Sequence, residues 1–185
     1  MTLFIVALSL QPFDEKRRSV EQAEEMVTRW LSNRTRFCVS ADFPFANSSA
    51  GGNGNISCYY GMPSISADDP SYCNGKDGHC GYWRGHTWGP LNTLTWWALS
   101  HPKYEQSAIV TSARKSLAKQ AKAMLLSVWQ VSRHVCENYA PYKQLVPACT
   151  GDPFYHWGGL NALLSLLEAE NQMNATLPKP LQLKP

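Results

Sequence analysis

Three short stretches concentrate the side chains able to do chemistry: GYWRGHTWGPLN (Gly81 to Asn92), ENYAP (Glu137 to Pro141) and FYHWGGL (Phe154 to Leu160). Each sets aromatic rings and glycine beside a polar or charged group at a loop–helix junction. Flat rings stack on the apolar faces of pyranoses, while Arg, Asn, His and carboxylate groups hydrogen-bond their hydroxyls, so this is the composition of a sugar pocket. The competing reading makes the same Trp and Tyr residues core aromatics at crowded helix ends. For any single ring that plainer reading is the stronger one.

Glu137 is the one carboxylate within RHVCENYAP, flanked by Val135, Cys136 and Tyr139. Apolar neighbours raise a carboxyl pKa and suit it to acid or base work, but a structural ion pair with Arg84 or Arg133 perturbs a carboxylate as well. Spacing alone favours the ion pair. No Gly-x-Ser-x-Gly elbow, P-loop or dinucleotide fingerprint offers a rival chemistry. Cys73, His79, Cys80 and His86 suggest zinc at first sight, but C-x6-C lacks the short C-x2–4-C knuckle, so no metal site is expected and no cofactor is implied.

The elements that must position these groups belong to a chain of 185 residues, 44% hydrophobic and 17% charged, which fits one globular domain. The net charge of +3 is scattered, with no basic stripe interleaved with aromatics, and nucleic acid is set aside. The opening MTLFIVALSLQPF lacks a basic flank and is shorter than the ~20 apolar residues of a membrane span. Six cysteines (38, 58, 73, 80, 136, 149) and four Asn-x-Ser/Thr sequons at Asn33, Asn47, Asn55 and Asn174 point to the secretory pathway or the extracellular space. Reduced thiols and unused sequons in the cytoplasm are the alternative.

Helical spacing predicts a helix over about 19–32, begun by the capping box Ser19 to Gln22 and carrying Val20, Ala23, Val27, Trp30 and Leu31. Residues 36–81 are rich in Gly, Pro, Ser, Asn and Asp and read as a long irregular excursion. Helices are expected again from Trp88 (Leu91, Leu94, Ala98, Leu99), over about 104–133 (Ala108, Leu117, Ala121, Met124, Leu125, Val128) and over about 157–168 (Leu160, Leu163, Leu164, Leu167). The segment holding Glu137 reads as a loop, and no run alternates with period two. The expected class is all-α, with helical hairpins and one long loop.

The ordered series YWRGHTWGPLNTLTWWAL, HVCENYAP and FYHWGGLNALLSL resembles the C-terminal part of the six-hairpin glycosidases. It is closest to the group that includes mannosyl-oligosaccharide glucosidase and mannosylglycerate hydrolase, with trehalases more distant. MPSISADDPSY and QAEEMVTRWLSNRTRF resemble the segments that precede YWRG there, so the likeness covers roughly residues 3–170. It implies a partial (α/α)6 barrel over residues 1–175 with a proline-rich tail at 176–185, a carbohydrate substrate, and inverting hydrolysis of an α-glucosidic or α-mannosidic bond. Glu137 matches the family's general base. Tyr82, Trp83 and Arg84 match the YWRG segment that lines the sugar subsite, and Asn92, His156 and Trp157 match positions in or behind the pocket wall. The family's general acid is an Asp from the earlier half of the barrel, which Asp68, Asp69 and Asp152 do not match. The expectation is therefore a C-terminal piece, inactive by itself for want of that acid, that would contact the missing N-terminal half. A carbohydrate-binding module without catalysis is the alternative, and a disulfide-stabilised helical domain with no sugar role is the plainest one.

Overall fold

The computed structural model describes residues 20–39, 61–72, 82–140 and 148–176. Ser19, most of the Gly- and Ser-rich excursion, Cys58, Cys73, His79, Cys80 and the proline-rich tail beyond Thr176 lie outside the described residues.

The fold is mostly helical. Helix α1 (Val20–Met26) runs into a π-helical turn, Val27–Leu31. Helices α2 (Gly89–Leu99), α3 (Ala108–Ser132) and α4 (His156–Thr176) follow, with 3-10 turns at Tyr82–Arg84 and Pro102–Tyr104. Ser107 starts α3 by accepting the Val110 N–H at 3.2 Å, a standard N-cap, and Arg133 ends it in the left-handed conformation at φ 59°. Between these caps Val110, Ala113, Leu117, Ala121, Met124 and Val128 recur every three or four residues and are buried as one stripe. Ala108, expected on that stripe, is the exposed first residue of the helix instead.

Helices α2, α3 and α4 all pack on one another, and α1 with its π-turn covers α3. Their common core holds Leu31, Phe37, Met62, Trp96, Leu99, Leu117 and Leu164. The leucine stripes of α2 and α4 hold in part: Leu99 and Leu164 lie in the core and Leu91 and Leu167 pack against it, but Leu163 is exposed and polar residues share the buried faces. On α2 the buried residues are Gly89, Asn92, Thr95, Trp96 and Leu99, while Leu91, Leu94 and Ala98 are half-buried. On α4 Asn161, Leu164 and Glu168 are buried, whereas Leu163 and Leu166 are exposed. Polar residues can face inward here because they satisfy one another. Asn92 Nδ2 donates to Asn161 Oδ1 at 3.0 Å, and Asn161 Nδ2 to the Gly158 carbonyl at 3.2 Å. The Met62 N–H donates to Asn92 Oδ1 at 3.1 Å. Trp96 Nε1 donates to Glu168 Oε2 at 2.8 Å, and the same carboxylate oxygen forms an ion pair with Arg114 Nε at 2.8 Å.

One expectation needs correction. The segment read as a loop around Glu137 is strand β1 (Cys136–Ala140), paired antiparallel with β2 (Ala148–Pro153). The pair is held by a Cys136–Cys149 disulfide. On its other edge β1 exchanges hydrogen bonds with Thr87 (Thr87 N–H to the Tyr139 carbonyl, 2.9 Å; Tyr139 N–H to the Thr87 carbonyl, 3.0 Å), and Thr87 in turn bridges to Pro63. β1 is therefore an interior segment of a small irregular layer beside the N-terminal ends of α2 and α4. Covered on both sides, it shows no simple inside–outside alternation.

The arrangement is compatible with a helical glycosidase domain.

Candidate functional site

The site is built on a β-bulge. Asn138 pairs with Thr150 and Cys136 with Pro153, so Glu137 alone faces two residues, Gly151 and Asp152. Gly151 adopts φ +70°, the left-handed conformation that the glycine of a G1-type bulge supplies. The bulge turns the Asp152 N–H toward Glu137 Oε2 at 3.4 Å. It also brings the Gly151 backbone so close that a Cβ there would stand 2.1 Å from Glu137 Oε2 and 2.8 Å from Glu137 Cβ. Behind the strand, Gly158 lets α4 approach it closely: a Cβ at that position would meet the Cys136 carbonyl oxygen at 2.1 Å.

Tyr82 reaches Glu137 from the opposite segment, its hydroxyl donating to Oε1 at 2.8 Å. Tyr82 itself sits at φ 42°, unusual for a bulky side chain, and its surroundings hold it there. Its carbonyl accepts from the His86 N–H (3.1 Å), Trp88 Nε1 (3.2 Å) and Ser64 Oγ (3.4 Å). Donation to the Glu137 carboxylate first, then desolvation and the nearby negative charge, pushes the Tyr82 phenol above its ordinary value of 10.0. The hydroxyl thus stays a donor at neutral pH. Neither Arg84 nor Arg133 forms an ion pair with Glu137. Arg84 Nε donates instead to the Ser71 carbonyl at 2.8 Å, and Arg133 caps α3.

Beside Tyr82, Trp83 lies parallel on the fully buried Trp88, ring centroids 3.7 Å apart and 3° from coplanar. Trp83 remains 45% exposed. Trp88 also meets Trp157 at 5.9 Å, while His156, exposed, stacks on Tyr155 at 4.9 Å. The three aromatic stretches therefore converge, the first two through Tyr82 and Glu137 and the first and third through Trp88 and Trp157. Asn92 does not reach this face: it is wholly buried, and its amide is engaged between Met62 and Asn161.

Beneath Glu137 lies a polar cluster absent from the sequence-based site. His86 Nδ1 is 2.6 Å from Asn138 Oδ1, and Thr150 Oγ1 bonds the same amide oxygen and lies 3.2 Å from His86 Nδ1. In the sequence its members are scattered: His86 lies in GYWRGHTWGPLN, Asn138 in ENYAP, and Thr150 in neither. Burial holds His86 below its ordinary value of 6.5, against the opposing effect of the Asn138 contact. The folded state therefore resists charging this imidazole, while the unfolded chain takes up the proton first. Stability is expected to be full above pH 6.5 and to fall as pH drops through the depressed pKa of His86. Urea titrations at pH 7.5 and pH 5 check this, and His86→Gln should flatten the difference.

Among the described residues no group of three or more His, Cys, Asp or Glu side chains converges as a metal site would.

The family model of the mannosylglycerate hydrolase MGH1-like glycoside hydrolase domain matches residues 29–157. The chain belongs to this family. No individual curated protein matches it. The matched span of the MGH1-like domain includes Tyr82, Trp83, Glu137 and the bulge opposite Glu137, so the hairpin and the stacked tryptophans are parts of a glycoside hydrolase domain.

Proposed function

We propose that this chain carries the general base of an inverting glycoside hydrolase that cleaves an α-mannosidic or α-glucosidic bond in a small glycoside or oligosaccharide. The observation that carries this reading is Glu137 itself. It is half-buried, lacks a cationic partner among the described residues, and is oriented by the Tyr82 hydroxyl and the Asp152 N–H beside an exposed tryptophan. In the reaction, a water oxygen bonds to the anomeric carbon while Glu137 takes a water proton. The glycosidic C–O bond breaks with its electron pair on the leaving oxygen, which a carboxylic acid ~6.5–9.5 Å from the base protonates.

Five other described carboxylates have partners of their own. Glu24 accepts from Ser107, Glu25 from Arg29, and Asp69 from Ser71. Asp68 pairs with Arg36, and Glu168 with Arg114. Asp152 shares the hairpin of the base. By the family resemblance, the acid is assigned to an Asp of the earlier half of the barrel, which Asp68, Asp69 and Asp152 do not match. Such a half would cover Trp97, Leu163, Leu166 and Met173, which are exposed here. The Cys136–Cys149 disulfide supports a secretory setting.

Glycosyl fluorides test this assignment, because fluoride departs without the proton an alkoxide requires. The chain is expected to hydrolyse α-mannosyl or α-glucosyl fluoride, releasing the β-anomer first in proton NMR, and to leave the alkyl glycosides intact. First release of the α-anomer contradicts inversion.

The stacked Trp83 favours a second reading, a carbohydrate-binding module without catalysis. On either reading, Trp83→Ala should weaken sugar binding about fivefold in calorimetry, since one ring on a sugar face contributes on the order of 1 kcal/mol. A folded chain that binds sugar but hydrolyses neither fluoride is the module.

A further inference from the structure

The sequon Asn33-Arg34-Thr35 follows directly on the π-turn that continues α1. Its backbone is fixed. The Asn33 N–H donates to the Trp30 carbonyl at 3.3 Å, and the Asn33 carbonyl accepts from the Arg36 and Cys38 N–H groups at 2.9 and 3.0 Å. Its side chains lie at the surface: Arg34 and Thr35 are exposed, and Asn33 is half-buried. Asn33 Oδ1 accepts from the Thr35 N–H at 2.9 Å and from Thr35 Oγ1 at 2.8 Å, while Nδ2 donates to the Arg29 carbonyl at 3.3 Å, all three in solvent-exposed contacts. A side-chain amide nitrogen has two hydrogens, and this turn uses one of them. An N-linked sugar replaces one hydrogen and leaves the other, so every hydrogen bond of the turn has its donor and acceptor after modification. Sequons also arise by chance, so the compartment matters. The described cysteines Cys38, Cys136 and Cys149 are all disulfide-bonded, Cys38 in the same turn as Asn33. Disulfides form and persist in the lumen where oligosaccharides are transferred to asparagine.

We propose that Asn33 is an N-glycosylation site. The donor is an oligosaccharide carried on a polyprenyl diphosphate. Asn33 Nδ2 bonds to the anomeric carbon of the first sugar, the bond from that carbon to the diphosphate oxygen breaks with its electron pair on the diphosphate, and one Nδ2 proton is released. The Thr35 hydroxyl completes the acceptor sequence. Transfer acts on the chain before it folds, and the folded turn then accommodates the product because the modified nitrogen faces solvent. A bulky, hydrated glycan at Asn33 keeps this turn in water in any larger domain to which the chain contributes. The assignment stands independently of the role of Glu137.

The test expresses the full chain in insect cells behind a cleavable secretion signal and maps both the secreted and the membrane-retained protein. Peptide N-glycosidase in heavy-oxygen water converts a glycosylated asparagine to a labelled aspartate, which mass spectrometry reads at position 33. The Cys136–Cys149 linked peptide, mapped without reduction in the same digest, marks chains that have passed through the oxidising lumen. The expected result is heavy label at position 33 in most of these chains. Thr35→Ala should abolish the label, Thr35→Ser should retain it, and Asn33→Gln should remove the mass of one glycan from the intact protein. Unlabelled Asn33 in disulfide-linked chains overturns the proposal. Label that persists in Thr35→Ala overturns it too, because it then reports spontaneous deamidation. Free thiols at Cys136 and Cys149 in all the recovered protein overturn the compartment on which the proposal rests.

Discussion

Gly151→Ala is expected to reduce turnover about 10²-fold while leaving the protein folded. A residue with a Cβ held at φ +70° costs on the order of 1–2 kcal/mol, which a domain of ordinary stability tolerates. The larger effect is local. The new methyl would overlap Glu137 Oε2, at 2.1 Å, and crowd Glu137 Cβ and Asn138 Nδ2 at 2.8 and 2.9 Å. The carboxylate end is the most movable of these atoms and swings away, giving up its aim toward Tyr82 and the attacking water. Displacing a reacting group by about 1 Å costs on the order of 10²-fold in rate. Fluoride release together with circular dichroism checks this: a folded Gly151→Ala variant with wild-type kcat would show that the bulge does not position Glu137.

The second large effect concerns the scaffold. Glu168→Ala removes the partner of Arg114 and the acceptor of Trp96 Nε1 in the contact between α2, α3 and α4. Breaking a buried ion pair on one side destabilises by roughly 3–5 kcal/mol, because the remaining charge stays desolvated and unpaired. Chemical unfolding should show that loss for Glu168→Ala. The double variant Arg114→Met with Glu168→Leu should recover most of it, since well-packed apolar residues replace a buried pair at little net cost. A Glu168→Ala change below about 1 kcal/mol would contradict this description of the core, as ordinary surface substitutions fall in that range.

The helices were legible because their causes are local. Ser107 caps α3, and the stripe from Val110 to Val128 follows helical spacing, so a short window of sequence contains both signals. The faces of α2 and α4 were legible in part. Leu99 and Leu164 point inward as their spacing suggests, but the same faces also bury polar groups that meet only after folding: Asn92 with Asn161, and Glu168 with Arg114 and Trp96. The hairpin was the clearest miss. Its pairing joins Cys136–Ala140 to Ala148–Pro153 through a bulge, with both edges of β1 in use, so the period-two pattern that marks a half-exposed strand never forms.

At the site, motif order singled out Glu137, Tyr82 and Trp83, which the fold brings to one face. It also singled out Arg84 and Asn92, whose side chains turn respectively to the Ser71 carbonyl and to the buried amide ladder. The roles of Gly151, Asn138 and Thr150 depend on cross-strand register. Their residue types alone do not reveal it.

The central claim, that Glu137 is a general base, is tested most directly by following fluoride release from α-mannosyl and α-glucosyl fluoride by fluorine NMR for the native chain and for Glu137→Gln. Gln preserves the shape and the acceptor for Tyr82 but cannot take a proton at neutral pH. The account predicts loss of about 10²–10⁴-fold in kcat with sugar affinity retained. Equal rates for the two proteins would contradict it.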